Sequence, residues 1–429
     1  MTLPYSVAVL GVPFHSVTID EAISFIENKI DEGGFHQVAT ANVDFLMNSM
    51  RDKELQKILL SCDLIVPDGM PVLWAAKLLG ASLKERVCGV DLVPQLAELC
   101  VRRRFSMFFL GASEKVSARA AENLKQRFPG LRIAGRYSPP VQPLEKMNHQ
   151  EILDRIAAAK PDILLVAFGN PKQEKWLNMH RDHLNVPVCI GVGGSLDFVA
   201  GAVPRAPQWM QSVGLEWFYR MSKEPQRLAQ RYIHDAIGLA IHMPSQLFAS
   251  VLQPRHKTKS GIFLDRADNT SVVSIHGDFA GSLVQEFQSI ANTTVAGGLN
   301  LVLNLSQTTY LGPDALGALI QVSSTMRRSH LQLWLAEMPP HLLRILQSAH
   351  LNTHFMCTPS VDDALYRTAK AEHREMLRRA AKPAGRMSPA TVQVRLELLE
   401  DICQKITVSS TSSNAVQAGQ SYSFRTSIG

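Results

Sequence analysis

The stretch LIVPDGMPVLW, residues 64–74, decides how the N-terminal half of this chain folds. Its apolar run ends at Pro67, and an apolar pattern of helical period begins after Gly69. A strand that turns directly into a helix is the building unit of a parallel α/β sheet. Asp68 then stands at the carboxyl end of the strand, where open α/β sheets bind their ligands. The carboxylate is a candidate proton acceptor, and a helix N-cap is the other role that Asp favours there.

The same pattern recurs along the first 200 residues. Runs of β-branched or aromatic residues predict strands at residues 6–10, 37–41, 64–67, 107–110, 163–167 and 188–192. Segments of helical periodicity predict helices at residues 19–32, 45–60, 72–79, 90–103, 113–128 and 150–159. This alternation predicts an α/β fold with a Rossmann-like, mostly parallel sheet of the nucleotide-binding type.

Polar loops follow several of the predicted strands. TANVDFL (40–46) places Thr40 and Asn42 after one strand, either with both side chains in the crevice or with Asn42 as a helix cap. In ERVCGVDL (85–92), Arg86 suits a bidentate phosphate contact or a surface salt bridge, and Asp91 suits a helix cap. These loops are expected to converge with PDGMP on one site.

Two further loops supply a place for phosphates. In GNPKQE (169–174), Asn170 and Pro171 predict a turn, and Lys172 and Gln173 open a helix whose free N–H groups favour an anion. GVGGSLDFVAG (191–201) offers a second glycine-rich approach. Neither loop is the GxGxxG of a dehydrogenase or a P-loop.

Composition narrows the class of protein. With 429 residues and 46% hydrophobic residues, the chain can form two or three globular domains. The net charge of +6 is modest, and six cysteines without a CxxC pair are typical of a reducing cytoplasm. We expect no signal peptide, because the N-terminus lacks a basic region, and no membrane span. His180 and His183 lack a third ligand at matching spacing, so no metal site is expected.

The residue composition and the predicted structure change three times along the C-terminal half. Residues 205–252 are predicted as a helical appendage, whose aromatic residues and arginines suit either a membrane surface or packing on the sheet. Residues 253–261 are predicted as a linker and 262–372 as a second, smaller α/β domain. In that domain, strands are predicted at 272–276, 300–305 and 331–336, and helices at 283–291, 313–326, 340–349 and 361–368. Residues 373–429 are basic and then Ser-rich, which predicts a mostly disordered tail with an isolated helix at 392–406.

Eight motifs from residue 40 to residue 232 resemble those of the WecG/TagA/CpsF glycosyltransferase family. They are TANVDFL, PDGMP, ERVCGVDL, FLGAS, GNPKQE, GVGGSLDFVAG, RAPQWMQSVGLEWFYR and EPQRLAQRY. The resemblance covers residues 1–252 and implies an inverting enzyme that needs no metal or other cofactor. It implies transfer from a UDP-sugar to a polyprenyl-diphosphate-linked glycan in cell-surface or exopolysaccharide biosynthesis. The sugar would be of the ManNAc, ManNAcA, glucose or glucuronic acid type.

The resemblance also implies roles for single residues. Asp68 would be the base, with Thr40 and Asn42 in the same pocket and with Arg86 and Gln173 near the diphosphate. The residues implied in donor binding are Gly69, Asp91, Gly111, Tyr137, Gly169, Asn170, Pro171, Lys172, Gly194 and Asp197. The residues implied at the acceptor or the membrane are Arg220, Arg227 and Arg231. The enzyme would then work in the cytoplasm, on the inner face of the cell membrane.

The second domain is similar to the STAS domains of anti-sigma factor antagonists. LNLSQTTYLGPDALGALI (303–320) resembles their pattern, in which a phosphorylatable serine stands at a helix N-terminus. Asp314 occupies that position here, so serine phosphorylation is excluded there and one fixed negative charge remains. We expect Asp314 to be a structural or interaction charge, and the domain to bind a protein partner.

A different hypothesis stays open for the whole chain. The N-terminal domain would only sense a nucleotide sugar, and the STAS domain would make the protein a non-catalytic signalling scaffold. We expect no nucleic-acid partner, and the sequence leaves homo-oligomerisation open.

Overall fold

A six-stranded parallel sheet forms the framework of the N-terminal half. The computed structural model describes residues 4–212, 215–223, 225–254 and 260–381. In this sheet the strand order is β4-β3-β8-β7-β5-β6. Its strands are β3 (His36–Ala41), β4 (Leu64–Pro67), β5 (Ser106–Gly111), β6 (Arg132–Tyr137), β7 (Ile163–Ala167) and β8 (Val188–Gly191). Alternate side chains of β5 enter different apolar cores, Phe109 one and Phe108 the other, so both faces of the sheet are covered.

The first predicted strand lies outside this sheet. β1 (Ser6–Val9) pairs antiparallel with β2 (Val12–His15), which was not predicted, and the two form a separate hairpin. The two turn residues, Leu10 and Gly11, both have positive φ, as a tight two-residue hairpin turn requires. The expectation that residues 6–10 belong to the parallel sheet is therefore wrong.

Among the described residues of this half, nine α-helices connect the strands and cover the sheet. They are α1 (Ile19–Glu32), α2 (Val43–Arg51), α3 (Lys53–Ser61), α4 (Met70–Leu78), α5 (Gly89–Arg103), α6 (Glu114–Arg127), α7 (His149–Ala159), α8 (Lys172–Met179) and α9 (Ser195–Val199). The single helix predicted at 45–60 is two helices. Asp52 separates them, because its carboxylate accepts the N–H groups of Glu54 and Leu55 and caps α3.

In the part of the appendage that the structure describes, the helices are α10 (Gln208–Ser212), α11 (Glu216–Lys223) and α12 (Pro225–Val251). α12 buries Leu228 and Met243, whereas Ile237 and Ile241 on its other side are exposed. The helix therefore packs along the protein and keeps an apolar surface free. Within the described ranges, no helix is both long and apolar enough to cross a membrane.

The second domain has its own mixed sheet. Its strands are β9 (Gly261–Ala267), β10 (Thr270–Phe279), β11 (Asn300–Asn304), β12 (Thr308–Leu311), β13 (Leu333–Ala336) and β14 (Met356–Thr358). They run in the order β12-β10-β11-β13-β14, with β9 antiparallel to β10. The helices are α13 (Ser282–Ala296), α14 (Pro313–Arg328), α15 (Pro340–Ser348) and α16 (Val361–Ala381). β9, β12 and β14 were not predicted.

The two halves do not form separate compact units. The described residues up to 366 form one unit, and the described residues after 366 are assigned to another. Ala8 and Leu60 of the first half belong to the apolar core of the second domain, so the core is continuous between them. α16 runs on past its predicted end at residue 368. The rest of the predicted tail, with the helix predicted at 392–406, lies outside the described residues.

Candidate active site

A cavity of about 340 Å³ opens where four neighbouring strands end. Its walls come from the segments that follow β3, β4, β7 and β8, and from α11 and α12 of the appendage. Parallel strands place these segments on one edge of the sheet. The predicted residues that line the cavity are Thr40, Asn42, Asp68, Gly69, Arg86, Gly169, Asn170, Gln173, Gly194, Arg220 and Arg231.

Asp68 is held by the strand end and does not cap a helix. Its backbone N–H donates to the Ala41 carbonyl (2.8 Å), and Gly69 is the N-cap of α4. Burial raises the pKa of the Asp68 carboxyl, while the Cys88 thiol that donates to it and the nearby Arg220 and Arg86 oppose that rise. A carboxylate with a raised pKa is a better proton acceptor than one in water.

Thr40 and Asn42 lie beside Asp68 at the end of β3. The Thr40 hydroxyl donates to the Gly191 carbonyl (3.0 Å), which ties β3 to β8. The Asn42 side chain accepts the Phe45 N–H (3.4 Å) as N-cap of α2. Asn42 therefore fills both roles that its sequence left open, since it lines the cavity and caps the helix.

Gln173 fastens the two glycine-rich loops together. Its side-chain oxygen accepts the N–H groups of Gly169 and Gly193, both at 3.1 Å, and its amide nitrogen donates to Glu174 (2.8 Å). Gly191 lies against this pair, where an added Cβ would approach Gln173 and Glu174 to 2.5 Å. Burial raises the pKa of Glu174 to about 8. Burial thus favours the neutral form of Glu174, and its side chain fixes the orientation of the Gln173 amide by accepting from it.

Arg86 is held in an ion-pair network with the appendage. Its guanidinium donates to Glu216 of α11 (2.8 Å), and Glu216 also accepts from Arg205 (3.1 Å). Arg205 in turn pairs with Asp91. Asp91 is therefore not the cap of α5, which starts at Gly89 with Cys88 as N-cap. The network joins α5 and α11 beside the cavity.

The appendage supplies the opposite wall. Trp217, Arg220, Arg231, Tyr232 and Asp235 line the cavity from α11 and α12, and the Arg220 guanidinium lies 5.0 Å from the Phe198 ring. Burial and the neighbouring Asp44 raise the pKa of Asp235 to about 7, while Arg231 and Arg51 oppose the rise. Asp44 itself accepts a hydrogen bond from Asn170 (2.9 Å).

Three acidic residues of the cavity were not predicted as site residues: Asp44, Glu216 and Asp235. Asp44 lies within TANVDFL, so its loop was a usable signal. Glu216 and Asp235 lie on helices far along the chain, and only the tertiary course of α11 and α12 brings them to the cavity.

Several predicted donor residues lie outside the cavity lining. They are Asp91, Gly111, Tyr137, Pro171, Lys172 and Asp197. The Tyr137 ring stacks under the Arg155 guanidinium at 4.4 Å, and Lys172 donates to the Gln142 carbonyl. Their part in donor binding stays a prediction. The side chain of Arg227 lies outside the described residues.

Side-chain groups that bind metal ions usually combine three or more His, Cys, Asp or Glu ligands. Among the residues that the structure describes, His, Cys, Asp and Glu do not gather in groups of three that could hold an ion.

Comparison with known proteins agrees with this architecture. Residues 7–252 match the model of the glycosyl transferase WecG/TagA/CpsF family, and residues 262–358 match that of the MlaB-type STAS domain. An N-acetylglucosaminyldiphosphoundecaprenol N-acetyl-beta-D-mannosaminyltransferase of Bacillus spizizenii is 36% identical over 197 residues, which cover 46% of this chain and 74% of that protein. The transferase of the same name from Bacillus subtilis is 30% identical over 218 residues, 51% of this chain and 83% of that one.

Among solved structures, an anti-sigma factor antagonist from Mycobacterium paratuberculosis matches at 21% identity, with a TM-score of 0.24. The match covers 27% of this chain and 99% of that one. The family model spans more than half of the chain, and both relatives are matched over more than two thirds of their length. The chain therefore belongs to the WecG/TagA/CpsF family of glycosyltransferases, and it carries a STAS domain after the transferase domain.

Proposed function

We propose that the chain transfers an N-acetylmannosamine-type sugar from a UDP-sugar to a polyprenyl-diphosphate-linked acceptor, with inversion and without a metal ion. The observation that carries the proposal is Asp68, a carboxylate of raised pKa that lines the cavity with two arginines nearby. The names of the two Bacillus relatives support the choice of sugar and acceptor. ManNAcA, glucose and glucuronic acid remain the other donor sugars to test.

In the proposed reaction, one acceptor hydroxyl attacks the anomeric carbon of the donor sugar. The hydroxyl proton passes to Asp68 as the new C–O bond forms. The bond between the anomeric carbon and the UDP oxygen breaks on the opposite face, and UDP leaves with the electron pair. A single displacement of this kind inverts the anomeric centre.

The leaving diphosphate gains negative charge, which the cavity can stabilise. Arg86 and Arg220 both line the cavity, and both lie close enough to Asp68 to lower the pKa of its carboxyl. Guanidinium groups present forked donors that match phosphate oxygens. Gln173 supports this wall indirectly, because it fixes the backbone of Gly169 and Gly193 at the cavity.

The acceptor is a lipid, so the proposal places the enzyme on the cytoplasmic face of a membrane. The exposed face of α12 supports this placement. Ile233, Ile237, Ile241 and Phe248 lie at spacings of four, four and seven residues, and each is more than half exposed. Such a face can enter the headgroup region of a bilayer without crossing it.

The test is a transfer assay with the purified full chain. Labelled UDP-ManNAc is incubated with lipid-diphosphate-linked GlcNAc, beside UDP-ManNAcA, UDP-glucose and UDP-glucuronic acid, each with and without EDTA. We expect product from UDP-ManNAc in both conditions. Asp68→Asn should lower kcat by about 10²- to 10⁴-fold, the usual contribution of a positioned base.

Asp182→Asn is the matched control, because Asp182 is exposed and lies outside the cavity lining. Undiminished turnover in Asp68→Asn would remove Asp68 from the role of base. Binding of UDP-sugars by calorimetry without any product would favour the sensor hypothesis, and loss of product in EDTA would refute the metal-free mechanism.

A further inference from the structure

Helix α14 of the STAS domain lies directly on the N-terminal hairpin. Gly317 permits the contact, because a Cβ at this position would come within 2.5 Å of the Ser6 carbonyl oxygen. The Gln321 side chain also donates to the Pro4 carbonyl (3.0 Å). The helix therefore approaches the strand at a distance that only a residue without a Cβ allows.

Asp314 is buried in this contact. Its carboxylate accepts the N–H of Gly281 (2.7 Å) and shares a hydrogen bond with the Tyr5 hydroxyl. Only 5% of Asp314 is exposed. The position that resembles a phosphoacceptor is thus occupied from within the chain, by the segment that leads into β1.

A second set of contacts surrounds the first. Arg328, at the end of α14, pairs with the buried Asp63 between α3 and β4. The Gln56 side chain of α3 donates to the His350 carbonyl (3.0 Å), and an added Cβ at Gly11 would come within 2.2 Å of the Ala349 carbonyl oxygen. The STAS domain therefore contacts the hairpin and α3 over an extended surface.

Helix α12 connects this surface to the cavity. Its N-terminal half lines the cavity with Arg231, Tyr232 and Asp235. Farther along, the buried Gln246 accepts the Leu10 N–H (2.8 Å) and donates to the Ala8 carbonyl (3.3 Å) of the hairpin. With 27 residues, the helix extends roughly 40 Å.

The C-terminal end of α12 is bound by the STAS domain itself. Gln253, just past the helix, accepts the Leu311 N–H (2.7 Å) and donates to the Leu311 carbonyl (3.3 Å) at the end of β12. The rings of His242 and His350 also lie 6.0 Å apart, centre to centre, between α12 and the loop after α15. Both the STAS domain and the hairpin that it covers thus hold α12.

We propose that the STAS domain is a fixed support for α12 and so sets the position of the cavity wall that carries Arg231, Tyr232 and Asp235. Its α14 face is committed to the hairpin of the same chain, and Asp314 serves as an internal contact there. The sequence predicts that the STAS domain binds a protein partner. At its α14 face, that partner is the transferase domain of the same chain. The proposal goes beyond the assigned reaction, and it does not depend on which sugar is transferred.

The test compares three full-length proteins: wild type, Gln253→Leu and Gln332→Leu. Gln253→Leu removes both bonds to Leu311, whereas Gln332 bonds Trp334 within the STAS domain and controls for loss of a glutamine amide. Hydrogen–deuterium exchange is followed in the peptides that span residues 225–251. We expect faster exchange at residues 231–239 in Gln253→Leu alone, and about tenfold weaker binding of UDP by calorimetry.

Unchanged exchange at residues 231–239 and unchanged UDP affinity in a folded Gln253→Leu protein would overturn the proposal. If that variant fails to fold, Tyr5→Phe provides a milder test, because it removes only the hydroxyl that meets Asp314. The same increase in exchange, at smaller amplitude, is expected; exchange identical to wild type would overturn the proposal. The affinity readout rests on the proposed UDP-sugar donor, whereas the exchange readout needs neither UDP nor turnover. An inactive donor panel would therefore count against the proposed reaction and leave the exchange test intact.

Discussion

Glu174→Gln should make the protein more stable, by an amount that grows with pH. Burial raises the pKa of the Glu174 carboxyl from 4.5 to about 8. Between these values the folded protein keeps a proton that the unfolded chain releases. The free energy of unfolding of the wild type must then fall by about 1.4 kcal/mol per pH unit. From pH 5.5 to pH 7.5 the loss is about 3 kcal/mol, and it is complete only above the folded pKa.

Glutamine should preserve the neutral form of this side chain. Its carbonyl oxygen can accept from Gln173 as Glu174 Oε1 does (2.8 Å). Its NH₂ group takes the place of Glu174 Oε2, for which the described residues offer no hydrogen-bond partner. The substitution therefore removes the ionisation and keeps the shape.

The assay is equilibrium unfolding in urea at pH 5.5, 6.5 and 7.5, followed by tryptophan fluorescence, to which the buried Trp176 contributes. The difference in unfolding free energy between variant and wild type should widen by about 3 kcal/mol across this range. Glu98→Gln, on the exposed side of α5, should give a difference that does not change with pH. Parallel pH curves for wild type and Glu174→Gln would refute the reasoning.

Two further predictions concern charges near the cavity. Because the pKa of Asp235 is raised to about 7, the wild type loses stability as pH rises from about 4 to 7. Asp235→Asn should therefore melt at a higher temperature than wild type at pH 8 but not at pH 4. Thermal unfolding of both proteins at the two pH values is the measurement. Arg205→Met removes one of the two arginines that pair with both Asp91 and Glu216 and leaves Arg86 as the other. Urea unfolding should report a loss of about 1–2 kcal/mol, and a loss near zero would mean that Arg86 and water replace the Arg205 guanidinium.

Much of the N-terminal fold follows from local sequence. The bounds of α1, β4 and β7 agree with the prediction, because each has a strong apolar period and a clear boundary. β6 was missed, since its residues are mostly partly or fully exposed and show no alternation. β2 was missed because Leu10 is an unusual residue for a turn with positive φ.

The candidate site also contains residues that the sequence predicts and residues that it does not. Thr40, Asp68 and Gln173 were predictable because parallel strands bring their carboxyl ends to one edge of a sheet. Glu216 and Asp235 were not, since each lies on a helix whose path over the cavity depends on contacts far along the chain. Asp91 looked like a helix cap, and its partner Arg205 is 114 residues away.

The position of the hairpin has a consequence for biosynthesis. One face of β1 has α14 as its packing partner, and α14 lies roughly 300 residues later in the chain. At a usual synthesis rate of about 5–20 residues per second, the ribosome makes that helix roughly 15 to 60 s after the hairpin. During this interval the nascent transferase domain must keep an apolar strand uncovered. The hairpin is thus synthesised long before the helix that completes its packing, and the growing chain depends on protection from aggregation until the STAS domain emerges.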